Sequence, residues 1–283
     1  MTRRRCSRGT EGQRKFRIYG GRLRPSLEPV TSPLRQPLLL AAAFLLGAAR
    51  VLAQGGPPMI DDDPGTPGDG HWEINTAWTD QRTPGSTLMG LPVLDANYGL
   101  GDRIQLNYQS SWNIARTAGA PTESGLADTQ LAVKWRFYDE GDAGLQLSMF
   151  PRLTFPNPGS DSDRRGTADP GTSFFMPFET RKVYGPVAVN FNLGYTFSGE
   201  RSLRGWSGGV CLGHDVMKGW EVDAEVHADA SDGLRRSEVI LNLGTRVDLS
   251  PHTTLLLAIG RDTHDTLGRA TSLLTYVGIQ LTR

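Results

Sequence analysis

The stretch WEVDAEVHAD, Trp220 to Asp229, alternates strictly between apolar and charged or polar residues. Successive side chains of an extended chain point to opposite sides. Trp220, Val222, Ala224, Val226 and Ala228 therefore share one face, and Glu221, Asp223, Glu225, His227 and Asp229 share the other. The pattern recurs elsewhere. Val187, Val189, Phe191, Leu193, Tyr195 and Phe197 are interleaved with Ala188, Asn190, Asn192, Gly194 and Thr196. Leu131, Val133, Trp135 and Phe137 likewise oppose Gln130, Ala132, Lys134 and Arg136.

Twelve such segments are predicted, at 71–79, 91–98, 103–112, 126–138, 143–155, 172–183, 186–197, 206–216, 219–230, 236–248, 252–260 and 271–282. Most match the roughly 9 to 11 residues of a tilted strand that crosses a bilayer. The connections between them alternate in length. Gly99–Asp102, Asp139–Asp142, Tyr184-Gly185, Met217-Lys218 and Leu249–Pro251 are tight, whereas 80–90, 113–125, 156–171, 198–205, 231–235 and 261–270 are long and rich in Gly, Pro, Ser, Asp and Arg. If successive strands pair antiparallel, all the tight turns and both strand termini fall at one end and all the long loops at the other. This is the up-and-down topology of an outer-membrane barrel, with short periplasmic turns and longer external loops.

The segment ahead of these strands has a different character. LLLAAAFLLGAA, Leu38 to Ala49, follows Arg35 and precedes Val51-Leu52-Ala53, a small-residue cleavage pattern. It falls short of the about 20 apolar residues a spanning helix needs, so residues 1–53 are expected to be a removable signal peptide with a long basic n-region, and the mature chain to start at Gln54. A start codon assigned too far upstream would account for that long n-region. Residues 1–53 hold 11 of the 30 basic but 2 of the 30 acidic residues, which leaves 19 against 28 and a net charge of −9 for the remainder. That charge argues against a nucleic-acid partner. No later window approaches 18 uninterrupted apolar residues, so a membrane would have to be crossed with strands.

Cys6 leaves with the signal, and Cys211 is read as a small apolar strand residue. Residues 54–70, QGGPPMIDDDPGTPGDG, read as a periplasmic linker whose Gly, Pro and Asp content prevents regular structure. Asp61-Asp62-Asp63 lacks the alternating oxygens, fixed glycine and terminal Glu of a calcium loop, so a solvated acidic linker is expected, with no metal and no cofactor. Residues 71–283 form the expected barrel.

Aromatics sit where membrane interfaces would place them. Trp72, Tyr98, Tyr138, Tyr184 and Trp220 lie near the tight-turn ends, and Trp78, Trp112, Phe155, Phe197 and Trp206 near the long-loop ends. Alternation alone does not separate a membrane barrel from a soluble sandwich. The combination of a secreted chain, no disulfide, twelve strands and alternating loop length favours the closed barrel, which leaves no unpaired edge in lipid.

The chain resembles the outer-membrane family of transporters grouped under the meta-pathway of phenol degradation. The resemblance runs through GPPMIDDDP (56–64), GHWE (70–73), ANYGLGDRIQLNYQ (96–109), GLADTQLAVKWRF (125–137), MFPRLTFP (149–156) and FFMPFETRKVYGPVAVNFNLGY (174–195). It implies a β-barrel in the bacterial outer membrane, in contact with lipid, whose proposed role is passage of small solutes, aromatic or hydrophobic ones among them. Many such barrels end in an aromatic residue read by the outer-membrane assembly machinery. This chain ends Gln280-Leu281-Thr282-Arg283, so assembly is expected to use a variant signal.

Catalytic motifs are weak. GWSGG at 205–209 matches the nucleophile-elbow pattern at Ser207, but the elbow works as a strand-to-helix turn and no helix signal follows. The His-x-Ser pair of barrel phospholipases is absent at His71, His214, His227, His252 and His264. His264-Asp265, in an expected loop, is read as solvated. The chain is therefore expected not to be an enzyme, with a barrel hydrolase and a non-transporting structural or adhesion barrel as the alternatives. The expected lumen residues are Lys134, Arg136, Arg152, Glu179, Arg181, Glu221, Asp223, Glu225, His227 and Arg246. Two readings of them stay open: a plug of mutually paired charges, or the edge of a narrow water-filled path.

Overall fold

Segments with one apolar and one polar face become stable in lipid only when every backbone N–H and C=O finds a partner, and a sheet closed on itself achieves this. The computed structural model describes residues 56–142 and 144–283. The expected signal peptide, its cleavage site and Gln54 lie outside the described residues.

The strands are β1 (Trp72–Thr83), β2 (Ser86–Leu100), β3 (Ile104–Thr117), β4 (Glu123–Leu126 and Thr129–Asp139), β5 (Gln146–Met149 and Arg152–Phe155) and β6 (Ser173–Tyr184). They continue as β7 (Val187–Ser198), β8 (Gly205–Met217), β9 (Trp220–Ser231), β10 (Ser237–Ser250), β11 (Thr253–Asp265) and β12 (Leu273–Thr282). Each pairs antiparallel with the one before it. β12 then returns to β1, from Glu73 opposite Thr282 to Arg82 opposite Leu273. The result is a closed twelve-stranded up-and-down transmembrane barrel without a free edge. Strand β5 is interrupted at Phe150-Pro151, where proline has no N–H to donate; the Pro151 carbonyl still accepts from the Val133 N–H at 3.2 Å.

The expected tight turns are all short, at 101–103, 140–145, 185–186, 218–219 and 251–252. One expected long loop is corrected. Within 80–90, β1 and β2 run on and only Pro84 and Gly85 close the hairpin, Gly85 at φ +78°. Gly90-Leu91-Pro92 breaks the alternation because β2 bulges there, with register shifts against both neighbours. His264-Asp265, expected in a loop, instead ends β11.

Burial shows which face meets which medium. Among the described residues, 28 buried side chains are polar or charged and 11 are apolar. A soluble sandwich would show the reverse. On β9, Glu221, Asp223, Glu225 and His227 are buried while Val226 is 49% exposed. Leu193, Leu212, Leu241, Leu243 and Ile259 are exposed on neighbouring strands. The outer surface is thus an apolar band suited to lipid, rimmed by exposed Trp72, Tyr138, Tyr184 and Trp220 at the tight-turn end and by Trp112, Phe197 and Trp206 at the other.

This arrangement predicts a depth-dependent cost for charge on the outer face. Leu243→Arg, midway along β10 and 62% exposed, should destabilise the barrel by about 2–4 kcal/mol, against about 0–1 kcal/mol for Leu249→Arg near the rim. Urea titration of the liposome-inserted protein measures both.

Candidate functional site in the barrel lumen

The polar lumen holds residues 56–66 of the chain, the segment ahead of β1. Residues 56–66 were expected to be a solvated periplasmic linker, and the structure corrects this: Met59, Asp61 and Asp63 are buried. The segment does lack regular structure, as its composition requires. It lies inside because the wall offers partners for the groups that proline and glycine leave unpaired.

Its entry is at the tight-turn end. Thr66 Oγ1 donates to the Asp102 carbonyl at 2.9 Å, and the Gly101 N–H donates to Asp69 Oδ1 at 2.7 Å. A Cβ on Gly99 would stand 1.7 Å from the Gly68 carbonyl oxygen, so only glycine lets the segment pass this close to the wall. Deeper in, Glu225 accepts from the backbone N–H groups of Ile60 (3.1 Å) and Asp61 (2.7 Å). The segment then turns, with the Gly56 N–H bonded to the Asp61 carbonyl at 2.8 Å. Arg246 Nη2 donates to the Gly56 carbonyl at 3.0 Å.

Asp61 and Asp62 make ion pairs with the wall, and Asp63 adds a backbone contact. Asp62 bridges two cations of the wall, Lys134 Nζ at 2.9 Å and Arg152 Nη2 at 3.3 Å. Behind them Glu179 lies 3.8 Å from Lys134 and 3.6 Å from Arg152, and accepts from Ser148 Oγ at 2.7 Å. Lys134 and Arg152 both sit over the Phe150 ring, 4.7 Å and 4.4 Å from its centroid. Asp61 pairs with His227 Nδ1 at 3.0 Å, and the Asp63 carbonyl accepts from Lys134 Nζ. These carboxylates face protein cations, and among the described residues no cluster has the donor set of a metal site.

Of the expected lumen residues, Lys134, Arg152, Glu225, His227 and Arg246 touch the segment directly, and Glu179 and Asp223 stand behind them, Asp223 at 3.6 Å from Arg246. Glu221 is buried opposite Arg246 in the β9–β10 register. Arg181 reaches the Asp142 carbonyl at 3.4 Å, and Arg136 pairs with Asp139 at 3.2 Å near the tight-turn mouth. Sequence reasoning missed Asp61, Asp62, Asp63 and Phe150, and also an amide network in which Asn75 and Asn107 donate to Asp95 at 3.1 Å and 2.6 Å.

Ser207 lies on the inner face of β8, not on the lipid-facing wall. Its Oγ is 3.2 Å from His227 Nε2, which places Ser207, His227 and Asp61 in line. The connectivity is that of a hydrolytic triad, but its chemistry is not. Nε2 also faces the Asp229 carboxylate at 3.5 Å, so carboxylates flank both ring nitrogens. That favours an imidazolium that donates at both ends and has no lone pair to take the serine proton.

At the other mouth, loop 156–172 folds onto the wall. Asn113 Nδ2 donates to the Thr167 carbonyl at 2.8 Å and Arg165 Nη1 to the Ser124 carbonyl at 3.0 Å. Ser162 and Thr167 are buried there. Between the N-terminal segment and the wall a cavity of about 150 Å³ remains, lined by Asp62, Lys134, Phe150, Arg152 and Arg246 among others.

The Asp62 clamp predicts an acid-sensitive step. Burial pushes this carboxyl up, but the charges of Lys134 and Arg152 and the Lys134 hydrogen bond outweigh it and hold it below the ordinary 3.8. A depressed carboxyl stabilises the docked state above its free value and loses that contribution as pH falls through the lowered one. Docking through Asp62, faced by Lys134, Arg152 and Glu179, should therefore persist from neutral pH down to the ordinary Asp range and weaken only below it. Tryptic cleavage after Lys134 is not accessible in a folded barrel, so the readout is single-channel conductance against pH. The acid step in the wild type should be absent in Asp62→Asn.

No family model matches the chain, and no curated protein matches it in sequence. Several solved structures share its fold. The COG4313 outer membrane channel from Pseudomonas putida F1 aligns with TM-score 0.64 at 14% identity, over 80% of this chain and all (100%) of that one. The KdgM porin, solved in complex with disordered oligogalacturonate, aligns with TM-score 0.52 at 11% identity, over 74% of this chain and 98% of that one. The NanC porin gives TM-score 0.52 at 9% identity with the same coverage, 74% and 98%.

Proposed function

We propose that this chain is an outer-membrane channel of a Gram-negative bacterium that passes small solutes without chemistry, and that residues 56–66 are its plug. The observation that carries this reading is the inversion of the barrel: apolar outside, ionic inside, with the lumen occupied by a segment held mainly through hydrogen bonds and ion pairs and by one apolar anchor, Met59, packed near Cys211, Ala258 and Tyr276. Such contacts can be exchanged for contacts to water or solute. The channels and porins that share the fold support the same reading.

The tight-turn end, where β1 begins and β12 ends, is then periplasmic, and loop 156–172 is external. Lys134, Arg136, Arg152, Glu179, Arg181, Glu221, Asp223, Glu225, His227 and Arg246 line the path once the plug moves. The phenol meta-pathway resemblance adds aromatic and hydrophobic molecules to the solutes worth testing. Lipid, and the assembly machinery that inserts barrels, complete the set of partners.

Deletion of residues 56–66 from the mature chain tests the reading in planar bilayers. The deleted form should conduct severalfold better than the intact protein while keeping the gel-mobility shift of an unboiled barrel. Intact and deleted proteins that both stay at background, with no solute uptake defect in a deletion strain, would favour a structural or adhesion barrel instead.

A further inference from the structure

The Asp62 contact has the composition of a ligand site. Lys134 is 2% exposed and sits on an inward position of β4, and Arg152 reaches the same point from β5. Their two positive charges meet Glu179 on one side and Asp62 on the other. With Asp62 in place the four formal charges cancel. When the plug withdraws, the clamp keeps one net positive charge facing the lumen, a charge that attracts a mobile anion. A monocarboxylate restores neutrality, whereas a cation or a neutral solute does not. The neighbouring cavity of about 150 Å³ has room for a molecule as large as benzene once the water that its polar lining would hold is displaced. Phe150 lies beneath both cations and forms one side of that cavity.

We infer that Lys134 and Arg152 form a carboxylate-binding site for the permeating solute, and that Asp62 of the plug occupies it as an internal stand-in until a small organic monocarboxylate displaces it. The inference rests on the channel reading above and specifies its solute class. It also gives the plug's acidic run a role beyond packing: the solute's own carboxylate competes for the clamp, so the solute loosens the plug that blocks it.

The competing candidates are weaker. The Ser207, His227 and Asp61 line has carboxylates on both ring nitrogens. The aromatic and arginine patch at Tyr195, Phe197, Trp206 and Arg204 is an ordinary feature of a barrel rim.

Benzoate and its neutral isostere benzamide distinguish the outcomes in proteoliposome influx with the full mature chain. Benzoate should enter faster than benzamide. Asp62→Asn should raise influx of both molecules, because it weakens plug docking, and should raise the benzoate-to-benzamide influx ratio about tenfold, the change expected for removal of one charge-assisted competitor. Arg152→Gln in the Asp62→Asn background should bring the two influx rates together. Equal benzoate and benzamide influx in the wild type and in Asp62→Asn would overturn the inference while leaving the channel intact. Influx of neither molecule, in the plug-deleted form as well, would overturn the channel reading itself. The Asp62→Asn comparison alters only the plug and does not depend on whether the wall variant folds; the gel-mobility shift verifies the barrel in each case.

Discussion

Everything in this molecule follows from the cost of an unpaired peptide group in lipid. Closure of β12 onto β1 removes the last free edge, and closure forces each strand to present one face outward and one inward. Because the outer medium is apolar, the usual order of burial is inverted. The polar groups that a soluble protein would display to water are confined together, and they must satisfy one another, water, or something placed among them.

The N-terminal segment is what this chain places there. Its proline and glycine content prevents it from forming a helix or a strand, which leaves its backbone amides and carbonyls available to side chains of the wall. Glu225 takes two of those amides and Arg246 one of the carbonyls. The aspartates meet Lys134, Arg152 and His227. These contacts are polar ones that water can replace, which is what the proposed plug requires.

The fold was legible because period-two alternation and loop length are local properties. The alternation of Trp220 to Asp229 puts its acidic face inward, and Glu221, Asp223, Glu225 and His227 of that face are buried. The hairpin at Pro84-Gly85 was not legible, since the bulge at Gly90 to Pro92 mimics the start of a strand. The lumen cluster was legible on the wall, strand by strand, but its other half was hidden. GPPMIDDDP has the composition of a linker, and nothing local distinguishes three solvated aspartates from three buried ones. Two signals were available: the apolar pair Met59-Ile60 inside that polar run, and the cations Lys134, Arg152 and Arg246 on inward positions. Joining them requires knowing that β1 begins and β12 ends at the same mouth of a closed barrel, beside the segment that precedes β1.

Amide hydrogen exchange of the intact protein in detergent tests the docked segment most directly, because residues 56–66 have no helix or strand of their own to slow exchange. Ile60 and Asp61 should exchange slowly, and their protection should be lost in Glu225→Ala while the strands stay protected. Rapid exchange across 56–66 in the wild type, at the rate of an unstructured peptide, would contradict a plug inside the lumen.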